Sequence, residues 1–144
     1  MKKVLLSLTA TLVLAASANA SDNLAKGLNV MITSADTQTQ MMGMVLSTMT
    51  LKEKKEVNMV LCSDAGNLAL KDFEAGKIKM QGEEKTPKML LQGLIKEGAN
   101  VEVCPLFLPN AGKTEADLME GVSVAKPPMV AKKLLDKDLQ TLSY

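Results

Sequence analysis

Five short stretches of strand character, apolar or alternating, recur along this chain, with longer segments of helical period between them. They are residues 28–33, 56–62, 100–104, 122–125 and 139–144. The first is nearly continuous in apolar residues, as a strand buried on both faces should be. In 100–104, Val101 and Val103 alternate with Asn100 and Glu102, the period-2 signature of a strand. Pro105 supplies no ladder donor, so that strand should end at Cys104. Strands alternating with helices imply an α/β protein with a mainly parallel sheet and helices on both faces.

The intervening segments carry matching signals. Asp36 is a good N-cap for a helix over 37–54, where Met41, Met44, Val45, Thr48, Met49 and Leu51 recur at spacings of three and four. Gly43 permits close approach of that helix to the sheet. Residues 68–73 read as a short helix or an edge segment, and the charged stretch 75–85 as a surface loop. Thr86-Pro87 opens a second helix as N-cap and N1. Its face is Met89, Leu90, Leu91, Leu94 and Ile95, and Gly98 ends it at C′. Thr114 and Asp117 resemble a capping box at the start of a short helix to about residue 120, which Gly121 breaks. Pro127-Pro128 starts a last helix through Leu135.

The first 20 residues are expected to be a cleavable secretory signal: Lys2 and Lys3, an apolar stretch, then Ala18-Asn19-Ala20. The mature part from Ser21 to Tyr144 is then one domain (21–144), exported to the periplasm, with no stable membrane insertion. Removing Lys2 and Lys3 leaves 15 cations against 16 acids, a net charge of about −1. No arginine is present, and the aromatics are only Phe73, Phe107 and Tyr144. That composition gives neither the basic footprint nor the stacking platforms of a nucleic-acid binder. The absence of histidine excludes His-based triads and the usual zinc sites. No cofactor is implied.

Cys104 is the first candidate for chemistry, because ligands of open α/β sheets bind outside the carboxyl ends of strands. A reactive thiol needs exposure and a lowered pKa, which a helix N-terminus near the following loop would favour. The competing reading is a buried structural cysteine. Cys62 ends the second strand in the same way, with Ser63 and Asp64 beside it. Cys62, Asp64 and Asp36 complete the candidate binding set. Of 11 methionines, Met41, Met42 and Met44 cluster on the first helix. With a thiolate they would suit a soft metal such as Cu(I), although core filling is the simpler account.

In its order of elements the mature chain resembles the DsrE-like family, which includes the sulfur-relay proteins DsrE, DsrF and TusD. The segments that carry the resemblance are Gly98-Ala-Asn-Val-Glu-Val-Cys104, Asn110-Ala-Gly112 through Gly121-Val122, and Ser63-Asp-Ala-Gly66-Asn-Leu68. The resemblance implies a single three-layer flavodoxin-like domain with a mainly parallel five-stranded sheet. It also implies a homo-oligomer (trimer or hexamer) and a persulfide on Cys104, exchanged with a sulfur donor or acceptor protein. A carrier or binding module is expected, rather than a turnover enzyme. The alternatives are a non-catalytic homo-oligomeric interaction module and a soft-metal (Cu) or small-ligand binder using Cys and Met.

In a doubly wound strand order 2-1-3-4-5, the first strand would separate Cys62 from Cys104. Two strand spacings amount to roughly 10 Å, beyond the reach of a disulfide. Two unpaired thiols on one rim are the expectation.

Overall fold

The computed structural model describes residues 24–144, so the signal segment expected at 1–20 lies outside the described residues. In chain order the elements are β1 (Gly27–Ile32), α1 (Thr37–Lys52), β2 (Glu56–Leu61) and a 3-10 segment (Ser63–Ala69). Next come β3 (Ile78–Met80), β4 (Glu83–Lys85), α2 (Pro87–Lys96), β5 (Asn100–Val103) and α3 (Phe107–Asn110). A 3-10 turn (Glu115–Asp117), β6 (Val122–Val124), α4 (Pro127–Leu134) and β7 (Leu139–Ser143) complete the chain. Five strands form one sheet in the order β6-β5-β2-β1-β7, every pair parallel. Among the described residues, no helix is long and apolar enough to cross a membrane.

Strand alternation divides the sheet into two unlike faces. Val30, Ile32, Val57, Met59, Leu61, Val101 and Val103 are buried on one face, in a core shared with Met44 of α1 and Leu91 and Leu94 of α2. The other face carries Asn29, Asn58 and Glu102, and α4 lies on it. Lys133 Nζ contacts Glu102 Oε2 at 3.0 Å, and Asn29 Nδ2 donates to the Lys133 carbonyl at 2.7 Å. No residue of α4 is buried, so this second layer is thin.

The strand order differs from the 2-1-3-4-5 expected, and handedness explains how. Parallel crossovers are right-handed, so the direction of each step across the sheet fixes the face its helix takes. The chain steps one way from β1 to β2 to β5, with α1 and α2 packed against each other on one face. It reverses only between β6 and β7, which sends α4 to the opposite face. A reversal between the first and third strands would have put α1 and α2 on opposite faces. Apolar periodicity reports which residues meet a layer but not which strand lies beside which.

Several local expectations hold. Asp36 caps α1; Thr86 caps α2 by accepting from Met89 N–H at 3.2 Å; Gly98 has φ +95°. The Thr114/Asp117 capping box forms, although it opens a single 3-10 turn rather than a helix. A Cβ on Gly43 would lie 2.8 Å from Ile32 Cδ1, so the close approach of α1 to β1 is real.

Two expectations fail. Residues 75–85 contain the β3–β4 hairpin, turned by Gln81 (φ 53°) and Gly82 (φ 86°). Two successive left-handed residues suit a two-residue hairpin loop. The spacings of three and four imply one apolar face that includes Met49, but helix α1 is apolar on two sides: Met41 and Met44 are buried, while Met42, Leu46 and Met49 are 51%, 37% and 47% exposed.

At the other edge, Tyr144 N–H donates to Met31 O at 2.9 Å. Thr33 N–H and Oγ1 both donate to Tyr144 O, at 2.7 and 2.8 Å. The end of the chain is thereby fastened beside β1.

The division of α1 is testable by substitution. Met44→Ala is expected to lower stability by about 2–5 kcal/mol, and Met42→Ala by less than about 0.5 kcal/mol. Denaturant midpoints of the two variants measure this, and equal effects would mean that α1 is rotated.

Candidate functional site: a thiol pair at the carboxyl edge of the sheet

The register of β2 on β5 pairs Leu61 with Val103. Each strand is followed by a cysteine, and both cysteines keep their places in the ladder. Cys62 N–H donates to Ile32 O and Cys104 N–H donates to Leu61 O, each at 2.9 Å. Cys62 and Cys104 therefore sit side by side, one strand spacing apart, or about 4.8 Å between Cα atoms. The separation of roughly 10 Å expected from the other strand order is corrected. Continuing the alternation from Leu61 and Val103 turns both side chains away from the α1/α2 core.

Both thiols are free and half-buried, and each sulfur lies close enough to act on the other. Burial pushes the Cys62 thiol up to about 12, and the neighbouring Cys104 thiol acts in the same direction. Cys62 thus keeps its proton at neutral pH.

The chain leaves both strands abruptly. After Cys62, Ser63 adopts φ 50°, a left-handed conformation that costs a non-glycine residue about 1–3 kcal/mol. After Cys104, Phe107 N–H returns to the Cys104 carbonyl at 3.0 Å, closing a turn with Pro105 second. Proline is pre-set for that place. Helix α3 is only four residues long, and its first N–H binds Cys104's own carbonyl rather than its sulfur.

Between the two departing segments lies a cavity of about 480 Å³. Ser63, Asp64 and Asn67 line it from one side, and Cys104, Leu106, Phe107, Asn110 and Ala111 from the other. Asn67 Nδ2 donates to Asp64 O at 3.0 Å, and Asn110 Nδ2 to Leu106 O at 2.7 Å, so each amide braces its own segment. Gly66 lets the walls meet, since a Cβ there would lie 2.4 Å from Phe107 Cδ2. Just beyond the first segment, Lys88 Nζ donates to the carbonyls of Leu70, Lys71 and Phe73 at 2.7, 2.7 and 2.8 Å. Burial lowers the Lys88 pKa, opposed by the charges of Asp72 and Glu74.

Of the residues proposed from sequence, Cys104 and Asp64 line the cavity, and Cys62 sits beside Cys104 without being among the lining residues. Asp36 is not among the lining residues. Its carboxylate accepts from Thr39 N–H at 2.7 Å and Thr39 Oγ1 at 2.8 Å, which hold it below the usual carboxylate range. Sequence reasoning missed Asn67, Leu106, Phe107, Asn110 and Ala111. The two loops were visible, but the contact of Gly66 with Phe107 that brings them together has no local signature. Among the described residues, no three His, Cys, Asp or Glu side chains group as a metal site. The methionine cluster is divided, with Met41 and Met44 in the core and Met42 exposed.

These layers and this sheet define a three-layer α/β protein of DsrE-like, flavodoxin-like fold. Two solved structures carry that likeness. The ychN protein from E. coli superposes with a TM-score of 0.64 at 18% identity, over 82% of this chain and 99% of that one. MTH1491 from Methanobacterium thermoautotrophicum, a protein of unknown function, gives 0.61 at 15% identity over 82% and 98%. At such identities the likeness is one of fold. No protein-family model and no curated protein sequence matches the chain.

Two outcomes follow from this geometry. In the folded protein at neutral pH, iodoacetamide should label Cys104 well before Cys62. Labelling of Cys62 should stay slow as pH rises past the ordinary thiol value of about 8.5, because its proton is retained. Peptide mapping reads both, and equal protection of the two until denaturant is added would mean that Cys104 is structural. Separately, Gly66→Ala should displace Phe107 and cost about 1–3 kcal/mol, visible as a lowered melting temperature.

Proposed function

We propose that this protein is a DsrE-type sulfur-handling protein, exported to the periplasm, that carries sulfane sulfur on Cys104. The observation that supports the reading best is a cavity-lining thiol, Cys104, set one strand away from a second thiol, Cys62. The thiolate is the form that attacks sulfur. Loading is written as Cys104–S⁻ attacking the outer sulfur of a persulfide donor, R–S–SH. The new bond gives Cys104–S–SH, and the donor leaves as R–S⁻ with the electron pair of the broken bond. Asp64, Ser63 and the two asparagines form the polar part of the chamber where donor and acceptor meet the sulfur. The protein acts as a carrier that exchanges sulfur with partner proteins.

The reading is tested with Cys62 replaced by serine, so that a single thiol reports. Reduced protein is exposed to inorganic polysulfide and its mass measured. A gain of one sulfur, about 32 Da, on the Cys104 peptide is expected. It should be removed by cyanide and be absent in Cys104→Ser. No gain at Cys104 would end the carrier reading.

A homo-oligomeric interaction role is the second reading, favoured by Met42, Leu46 and Met49. They follow one another by four and three residues along α1 and are exposed together. A trimer or hexamer of this chain would cover them. Light scattering of residues 21–144 at micromolar concentration measures it, and a monomeric mass would count against assembly.

A further inference from the structure

We propose that Cys62 is the resolving thiol of Cys104: it displaces whatever sulfur is bonded to Cys104 and closes a reversible Cys62–Cys104 disulfide. The inference rests on Cys104 being the reactive thiol, but not on the identity of the sulfur it carries.

Three observations carry it. The β2–β5 register sets the cysteines side by side, at about 4.8 Å between Cα atoms, inside the 4.4–6.8 Å span of disulfides. Access is unequal, since Cys104 lines the cavity and Cys62 does not. An incoming disulfide therefore meets Cys104 first, and the sulfur it leaves behind lies next to Cys62. Finally, the Cys104 sulfur, beside burial, is among the groups that keep the proton on Cys62, so the two thiols already act on each other.

The chemistry balances in two steps. With a disulfide R–S–S–R as oxidant, Cys104–S⁻ forms Cys104–S–S–R and expels R–S⁻. Cys62 then loses its proton to solvent and attacks Cys104 Sγ. The Cys62–Cys104 bond forms, the bond to R breaks, and a second R–S⁻ departs with the electron pair. The two cysteines are oxidised by two electrons and the reagent is reduced by two. When the cargo is a persulfide, the same step releases hydrosulfide.

Geometry also makes the bridge labile. Side chains pointing the same way from neighbouring parallel strands hold their Cβ atoms near the strand spacing of about 4.8 Å, whereas a relaxed disulfide has them at about 3.5–4.5 Å. Strained disulfides are the exchangeable ones.

The test uses the reduced protein and 5,5′-dithiobis(2-nitrobenzoate), an aromatic disulfide. Two equivalents of thionitrobenzoate per chain are expected, the second at a rate independent of protein concentration. The product should lack two hydrogens and retain no aryl group. Cys62→Ser should release one equivalent and keep one aryl group on Cys104. A wild-type product that retains an aryl group on Cys104, or forms only dimers between chains, overturns the proposal. The mass of the wild-type product decides this without any variant. Closure of the bridge in a protein that takes up no sulfur from polysulfide would leave the resolving pair standing and remove the carrier reading. Stable sulfur uptake without closure would do the reverse.

Discussion

The pairing of β2 with β5 is the constraint on which the rest of the site depends. Leu61 and Val103 are fully buried opposite each other, and each such side chain contributes about 1.5–3 kcal/mol by leaving water. Sliding one strand by a residue would turn its apolar set out of the core and its cysteine into it. The hydrophobic core therefore fixes the register, and the register fixes the two sulfurs. Their juxtaposition does not depend on the surrounding loops.

The layers of the fold were legible because they are written in periodicity and punctuation. The strands fall within a residue or so of where alternation put them, and Asp36, Thr86, Gly98 and the Thr114/Asp117 box do what their residue types suggest. Strand order was not legible. The steps β1–β2 and β2–β5 look alike in one dimension, and only the packing of α1 on α2 reveals that they run the same way. The hairpin of β3 and β4 was hidden because its strands are three residues each and highly charged. Its signal was the pair Gln81-Gly82, a turn suited to two left-handed residues.

Of the site, the sequence revealed the groups that bear chemistry but not their surroundings. Cys104, Cys62, Ser63 and Asp64 stand out by type and by position at strand ends. Phe107 does not, because its part in the wall depends on Gly66, 41 residues away. Nothing in the sequence sets Lys88 apart from the other lysines. Its three carbonyl partners belong to a segment that adopts no regular element after Ala69 and has few ladder bonds of its own. One ammonium supplies there what a strand partner supplies elsewhere, and burial among backbone oxygens suits a group with three donors and no acceptor.

The fastening of residues 139–144 beside β1 bears on how the protein reaches its structure. β1 and β7 are neighbours although more than a hundred residues separate them, so one side of β1 stays open until residues 139–144 have been made. Closing so long a loop is entropically slow, and contacts distant in sequence form late. The β1-β2-β5-β6 ladder, built from successive steps, is the part that can assemble first, leaving β1 as a temporary edge with unpaired N–H and C=O groups. An open edge of this kind is a template for the wrong partner. Residues 139–144 therefore act as the cover of a nascent sheet, and a chain lacking them would keep its thiol pair while leaving β1 open to other chains.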